Sequence, residues 1–144
     1  MPTINPYLNF PGNTEEAFNF YKSVFGGEFL TVQRFKDTPE TSNVPDHEKN
    51  KIMHIALPIG KGNVLMATDT LESLGQKLTT GNNFYIMIQP ESEAEADRLF
   101  NKLSAGGKVE MPLQDMFWGA YFGAFKDRFG IQWMVNYDGK AITS

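Results

Sequence analysis

Cysteine is absent from the 144 residues, which excludes disulfides, thiolate metal sites and a cysteine nucleophile and suits a reducing compartment. Histidine is scarce: His47 and His54 are the 2 present. Lys and Arg number 13 against 17 Asp and Glu, for a net charge of −4, and the bases form no run. The electrostatic footprint of a nucleic-acid binder is therefore missing. No apolar run approaches the ~20 residues that span a bilayer. The opening MPTINPYLNF lacks the basic and apolar regions of a secretory signal. Serine-elbow and P-loop glycine patterns are also missing. These absences lead to the expectation of a cytoplasmic protein with neither nucleic acid nor membrane as partner.

What is present is a hydrophobic fraction of 41%, enough for one globular domain with an ordinary core. Residues 4 to 10 alternate, with Ile4, Pro6, Leu8 and Phe10 opposed to Asn5, Tyr7 and Asn9, which predicts a half-buried strand. Asn13 followed by Glu16 reads as a capping-box start, and Ala17, Phe18, Tyr21, Val24 and Phe25 return at helical spacing. Gly26-Gly27 stops the helix. A second strand spans 28 to 35, and a polar stretch, DTPETSNVPDHEKN, follows as either a lid or a surface excursion. In KIMHIALPI, Met53, Ile55, Leu57 and Ile59 share one face, and Ile52, His54, Ala56 and Pro58 the other. Gly60-Lys61-Gly62 turns this strand into Asn63 to Asp69.

The plan then repeats. Laying Gly26-Gly27 on Gly106-Gly107, an offset of 80, brings Phe20 onto Phe100, Lys22 onto Lys102 and Glu15 onto Glu95. Phe84, Ile86 and Ile88 oppose Tyr85, Met87 and Gln89 in a strand, Ser92 and Glu95 form a stricter capping box, and Ala96, Leu99, Phe100 and Leu103 make a helical stripe. Strands are predicted around 108 to 113, 119 to 126 and 131 to 137, the last two joined by a turn at Asp127-Arg128-Phe129-Gly130. The expectation is a single α+β domain over 1–144 built from two βαβββ modules, one about 1–70 and one about 83–137, with a linker about 71–82. Pairing of the modules should create one site between them.

The strings YLNFPGNTEEAFNFYKSVFGGEF, KIMHIALPIG, LMATD, GGKVEMPLQDMFWGAYFG and DRFGIQWMVN resemble the PhnB-like branch of the glyoxalase/bleomycin-resistance/extradiol-dioxygenase superfamily, also called the vicinal oxygen chelate superfamily. The resemblance implies a curved, partly open mixed sheet with helices outside, commonly in a homodimer. Members of this branch often carry the name 3-demethylubiquinone-9 3-methyltransferase. A doubly wound methyltransferase needs a glycine-rich loop opening a helix, whereas Gly60-Lys61-Gly62 joins two strands.

In the superfamily, metal ligands come from the first and last strands of each module. Carried onto this chain, those places are Asn5, Met66, Tyr85 and Met134. None is an ordinary ligand of a hard or borderline divalent metal, so no metal and no cofactor are expected. The inward face implied for ligand binding comprises Asn5, Tyr7, Asn9, His54, Met66, Thr68, Tyr85, Met87, Gln89, Gln132, Met134 and Asn136, with Trp118 and Tyr121 nearby. Amides, phenols and thioethers without a certain charge suit a neutral, partly aromatic small organic molecule. The alternative is a filled core whose amides bond to backbone. For catalysis the best placed residues are His54 and Tyr85, which leaves as the second reading a lyase-, isomerase- or dioxygenase-type enzyme of the superfamily that uses His54, with or without a recruited metal. His47 reads as solvated surface, and Asp69 and Asp115 as turn formers.

Overall fold

The computed structural model describes residues 2–139, which divide between Thr79 and Thr80 into two compact units. In the first, β1 (Tyr7–Phe10), α1 (Thr14–Phe25), β2 (Thr31–Arg34), β3 (Ile52–Ile59) and β4 (Asn63–Asp69) build a four-stranded sheet of order β1-β4-β3-β2. β1 runs parallel to β4 and the other neighbours are antiparallel. The second repeats the plan with β5 (Ile86–Ile88), α2 (Glu93–Ser104), β6 (Lys108–Asp115), β7 (Tyr121–Lys126) and β8 (Gln132–Tyr137), in the order β5-β8-β7-β6. Each unit is thus a βαβββ module, and the α+β class is as expected. No helix among the described residues is long and apolar enough to cross a membrane.

One face of each sheet is sealed by its helix. Leu8, Phe10, Ile55, Leu57, Leu65 and Ala67 pack with Ala17, Phe18, Tyr21 and Val24 in the first unit. Phe125, Trp133 and Val135 pack with Ala96, Leu99, Phe100 and Leu103 in the second. Phe100 stands edge-on to Phe125 with ring centroids 5.0 Å apart, and its ring lies so close to Gly123 that a Cβ there would approach it to 2.6 Å. Dispersion across such close contacts accumulates over the whole core.

Several local expectations are corrected. Ile4 is 92% exposed, because β1 begins only at Tyr7 and the alternation read further upstream is not strand. Ile52, placed by simple alternation with His54, is 1% exposed and joins Ile55 and Leu57. The register explains it: His54 pairs with Gln33 and Ile52 with Arg34, so Met53 is an extra residue that reverses the faces beyond it.

The repeat is also shifted by one residue in its helices. The N-caps Asn13 and Ser92, and the buried pairs Ala17/Ala96, Tyr21/Phe100 and Val24/Leu103, correspond at an offset of 79, not 80. Matching residue types had aligned Phe20, only partly buried, with the buried Phe100. Burial registers the helix, whereas β1 falls on β5 at the offset of 80, Tyr7 onto Met87, and β4 falls on β8 at a shorter one, Met66 onto Met134.

The two helix starts differ in chemistry. Ser92 Oγ accepts from Glu95 N–H at 3.0 Å as expected, and the Glu95 carboxylate reaches back to Glu91 N–H at 2.9 Å. Asn13 makes no side-chain cap. Instead the buried carboxylate of Asp69, at the end of β4, accepts from Thr14 N–H at 3.0 Å, from the Thr14 hydroxyl at 2.6 Å and from Ile52 N–H at 2.8 Å. A tertiary carboxylate thus replaces the local cap and meets the positive end of the helix dipole.

Candidate functional sites on the open sheet faces

The face of each sheet opposite its helix carries the residues singled out above. In the first unit, β1, β4 and β3 lie side by side, and the register sets Tyr7 level with Met66 and Ala56, and Asn9 level with Thr68. Tyr7 reaches across β4 to β3, where its hydroxyl lies 3.1 Å from His54 Nδ1. The two rings are stacked with centroids 5.6 Å apart and planes inclined by 26°. Burial pushes the Tyr7 hydroxyl above its ordinary value, so it stays protonated through the neutral range. Met66 is half-buried between the strands that carry this pair, while Asn9 is exposed.

Asn5 has another task. Its amide oxygen accepts from Val64 N–H at 3.0 Å, extending the β1–β4 ladder beyond Met66 N–H···O=C Pro6 at 3.1 Å. Gln132 does the corresponding work in the second unit, donating from Nε2 to the Phe84 carbonyl at 2.6 Å where β5 joins β8. These two amides bond to backbone, as the filled-core alternative had it for amides.

In the second unit Met87 pairs with Met134, and Met134 with Ala124 on β7. The next level brings Asn136 beside Phe122, against which Trp118 leans with centroids 6.4 Å apart. Trp118 also meets Phe117 edge-on at 4.9 Å in the tight turn between β6 and β7, which Met116 N–H···O=C Ala120 closes at 2.8 Å. Gln89 is exposed just beyond β5. Tyr121 does not join this face: its hydroxyl bonds to Asp97 on α2, on the side the helix covers. It falls one residue out of phase with Phe122 along β7, and alternation sends it the other way.

Tyr85 is bonded at 2.8 Å to Glu110, a residue the sequence did not mark. Glu110 is the extra residue in the first of two irregularities of β6, between the pairs Val109↔Phe125 and Met111↔Ala124. A bulge re-aims the side chain it carries, and this one bridges the two outer strands of the sheet. The Glu110 hydrogen bond, with burial and its charge, raises the Tyr85 pKa. A carboxylate therefore stands among residues that had been read as uncharged.

Two other acids are structural. Asp69, read from sequence as a turn former, caps α1, as described. Glu48, 5% exposed, accepts from the Ser73 hydroxyl and ties the polar stretch to the turn Glu72–Leu74. That stretch is shaped further by single turns at Phe35–Asp37 and Asp46–Glu48 and by Arg34, which bonds Glu15 through two nitrogens and the Asn50 carbonyl at 2.8 Å. His47 stays on the surface, its imidazole 3.9 Å from Glu48.

The four places carried over from the superfamily's chelating set do not fit a divalent metal. Asn5 spends its oxygen on Val64 and Tyr85 is bonded to Glu110, leaving the thioethers of Met66 and Met134. Among the described residues no three His, Cys, Asp or Glu side chains gather into a metal-holding group. Borderline and hard cations take imidazole, carboxylate or thiolate.

Comparison with known proteins agrees with this architecture. Residues 3–135 match the model of the Glyoxalase/Bleomycin resistance protein/Dioxygenase superfamily. Protein YjdN of Escherichia coli K12 is 33% identical, over 94% of this chain and 95% of its own. Among solved structures, protein PA1353 of Pseudomonas aeruginosa is 42% identical with a TM-score of 0.84, covering 96% of this chain and 98% of that one. A Bacillus cereus structure named for 3-demethylubiquinone-9 3-methyltransferase, PhnB protein, is 28% identical with a TM-score of 0.75, over 94% of this chain and 99% of its own.

Proposed function

The chain belongs to the glyoxalase/bleomycin resistance protein/dioxygenase superfamily, and from that premise we propose that it binds a small, neutral or aromatic organic molecule on its open sheet faces without a chelated divalent metal. The observation that carries this reading is the chemistry of the superfamily's ligand positions, an amide, a phenol and two thioethers, with the amide and the phenol already bonded. Thioethers and aromatic rings such as Met66, Met87, Met134, Phe122 and Trp118 supply adaptable contact area, and the few polar groups beside them orient what binds. Methyl transfer is not part of the reading, because Gly60-Lys61-Gly62 links β3 to antiparallel β4 and opens no helix.

A second reading, acid–base catalysis by His54, is favoured by one observation, the contact of its imidazole with the Tyr7 hydroxyl. An imidazole held in place by a phenol is positioned to pass a proton to or from a bound molecule. The two readings separate in a thermal-shift screen of small aromatic compounds followed by product analysis. Binding predicts that hits raise the melting temperature and are recovered unchanged; conversion of a hit that His54→Gln abolishes would favour the enzyme. Elemental analysis after dialysis should find well below one zinc, nickel, iron or manganese per chain. About one per chain would overturn the metal-independent reading.

A further inference from the structure

Resting on the ligand-binding reading, we propose that the Tyr7–His54 pair selects ligands that carry a carbonyl oxygen beside an aromatic ring. Tyr7 fixes the imidazole tautomer, and His54 Nε2–H is the donor that the carbonyl accepts. The argument starts from a single contact, the Tyr7 hydroxyl 3.1 Å from Nδ1. Either atom is able to carry the proton in that contact, but the two choices are unequal. A phenol is a far stronger acid than a neutral imidazole N–H, and an unprotonated ring nitrogen is a better acceptor than a phenolic oxygen. The hydroxyl therefore donates, Nδ1 accepts, and the ring proton of neutral His54 resides on Nε2.

That leaves Nε2–H without a hydrogen-bond partner among the described residues, on a half-buried side chain of the open face. A donor so placed has to be satisfied by water or by a ligand, and an unpaired donor penalises ligands that bury it without an acceptor. Its surroundings narrow the ligand further. Gln33 on β2 is its cross-strand partner, Thr68 follows Ala67, the partner of Ile55, on β4 with Asn9 beyond it on β1, and Met66 and Tyr7 lie one level away. No formally charged side chain is among them, so the pair suits a neutral acceptor. The stacked rings of Tyr7 and His54 and the Met66 thioether offer an aromatic ligand contact area beside that donor. Tyr7 acts here as a positioning residue and His54 as the specificity-determining one.

The test uses two probes of nearly equal shape, 2-acetylnaphthalene and 2-ethylnaphthalene, with nitrogen-15 NMR of the imidazole in the full chain. The expected result is at least tenfold tighter binding of the ketone by the native protein. His54→Phe should level the two affinities, and His54→Gln, which keeps an N–H donor, should restore part of the gap. Spectra without ligand should show Nδ1 unprotonated and Nε2 protonated in the native protein, with Tyr7→Phe shifting His54 toward a tautomer mixture. Equal affinities for both probes in the native protein, or a proton on Nδ1, would overturn the proposal while the ligand-binding reading stands. Failure of both probes to bind at all would count against the proposal and the ligand-binding reading together. Because the native protein supplies the decisive spectrum and affinities, the outcome does not depend on a variant folding.

Discussion

At the scale of single residues, two buried carboxylates gather the donors around them, Asp69 from partners distant in sequence and Asp127 from partners in its own hairpin. Asp69 closes contacts with Thr14, 55 residues away, and Ile52, 17 away. Asp127 does comparable work in its hairpin, accepting from Phe129 and Ile131 N–H at 2.8 and 3.0 Å and from the Trp133 indole at 2.8 Å. Asp69→Ala strands two backbone N–H groups and a hydroxyl in the core, each worth ~1–3 kcal/mol when left unsatisfied. Urea denaturation should therefore register a loss of about 3–5 kcal/mol. Glu15 makes a milder case. The Arg34 hydrogen bond, aided by its charge, holds the Glu15 carboxyl below its ordinary value of 4.5 against a smaller effect of burial. A depressed pKa means the contribution is complete above 4.5 and is lost as pH falls through the lower folded value. Denaturation midpoints measured down that acid range should fall less steeply in Arg34→Met than in the native protein. The half-exposed glutamate makes the difference small and salt-sensitive. The turn at Asp127 is legible in the sequence, but the partners of Asp69 and Glu15 are not, since a strand-end Asp reads equally as a turn former, and Glu110 finds Tyr85 only because β6 bulges.

At the scale of elements, the sequence carried more. Both helices, the β3–β4 hairpin and the β7–β8 hairpin stand where periodicity and glycine placed them, because apolar spacing and turn chemistry are local signals. Register is where local signals ran out. The bulge at Met53 and the two in β6 are settled by cross-strand pairing, and they moved Ile52 to the core and Glu110 toward Tyr85. The capping residues show the same division. Ser92 makes its expected bond to Glu95 N–H, whereas Asn13 is relieved of that work by Asp69. Ser92→Ala should accordingly cost about 1 kcal/mol, as a working N-cap does. Asn13→Ala should cost no more than a few tenths, because the Asn13 amide oxygen is buried without a partner among the described residues and caps nothing. Chemical denaturation of the two variants side by side checks the contrast. Equal losses would mean that Asn13 does cap α1 in solution.

At the scale of the whole molecule, the family, the α+β class and the repeated βαβββ plan followed from sequence strings, whereas the contacts of individual face residues needed coordinates. The open faces also bear on association. β6 is the outer strand of its sheet and exposes Val109 and Met111, and the hairpin that follows it presents Phe117 at 97% and Trp118 at 54% exposure. An aromatic pair on a tight turn is the kind of anchor that protein interfaces concentrate, and water is an unfavourable surrounding for two touching exposed rings. The outer strand itself is poorly suited to open-ended strand addition. Pro112 lacks an N–H, and two irregularities break the ladder of β6 with its neighbour. A closed pair of chains meets both conditions, covering the aromatic tip while adding no growing edge. Light scattering at micromolar concentration should thus return the mass of two chains, and Phe117→Glu, which charges the most exposed ring, should shift the mass toward one chain without lowering the helix content read by circular dichroism. A native mass of one chain would remove association as the reason for the exposed hairpin and would leave those rings to the ligand.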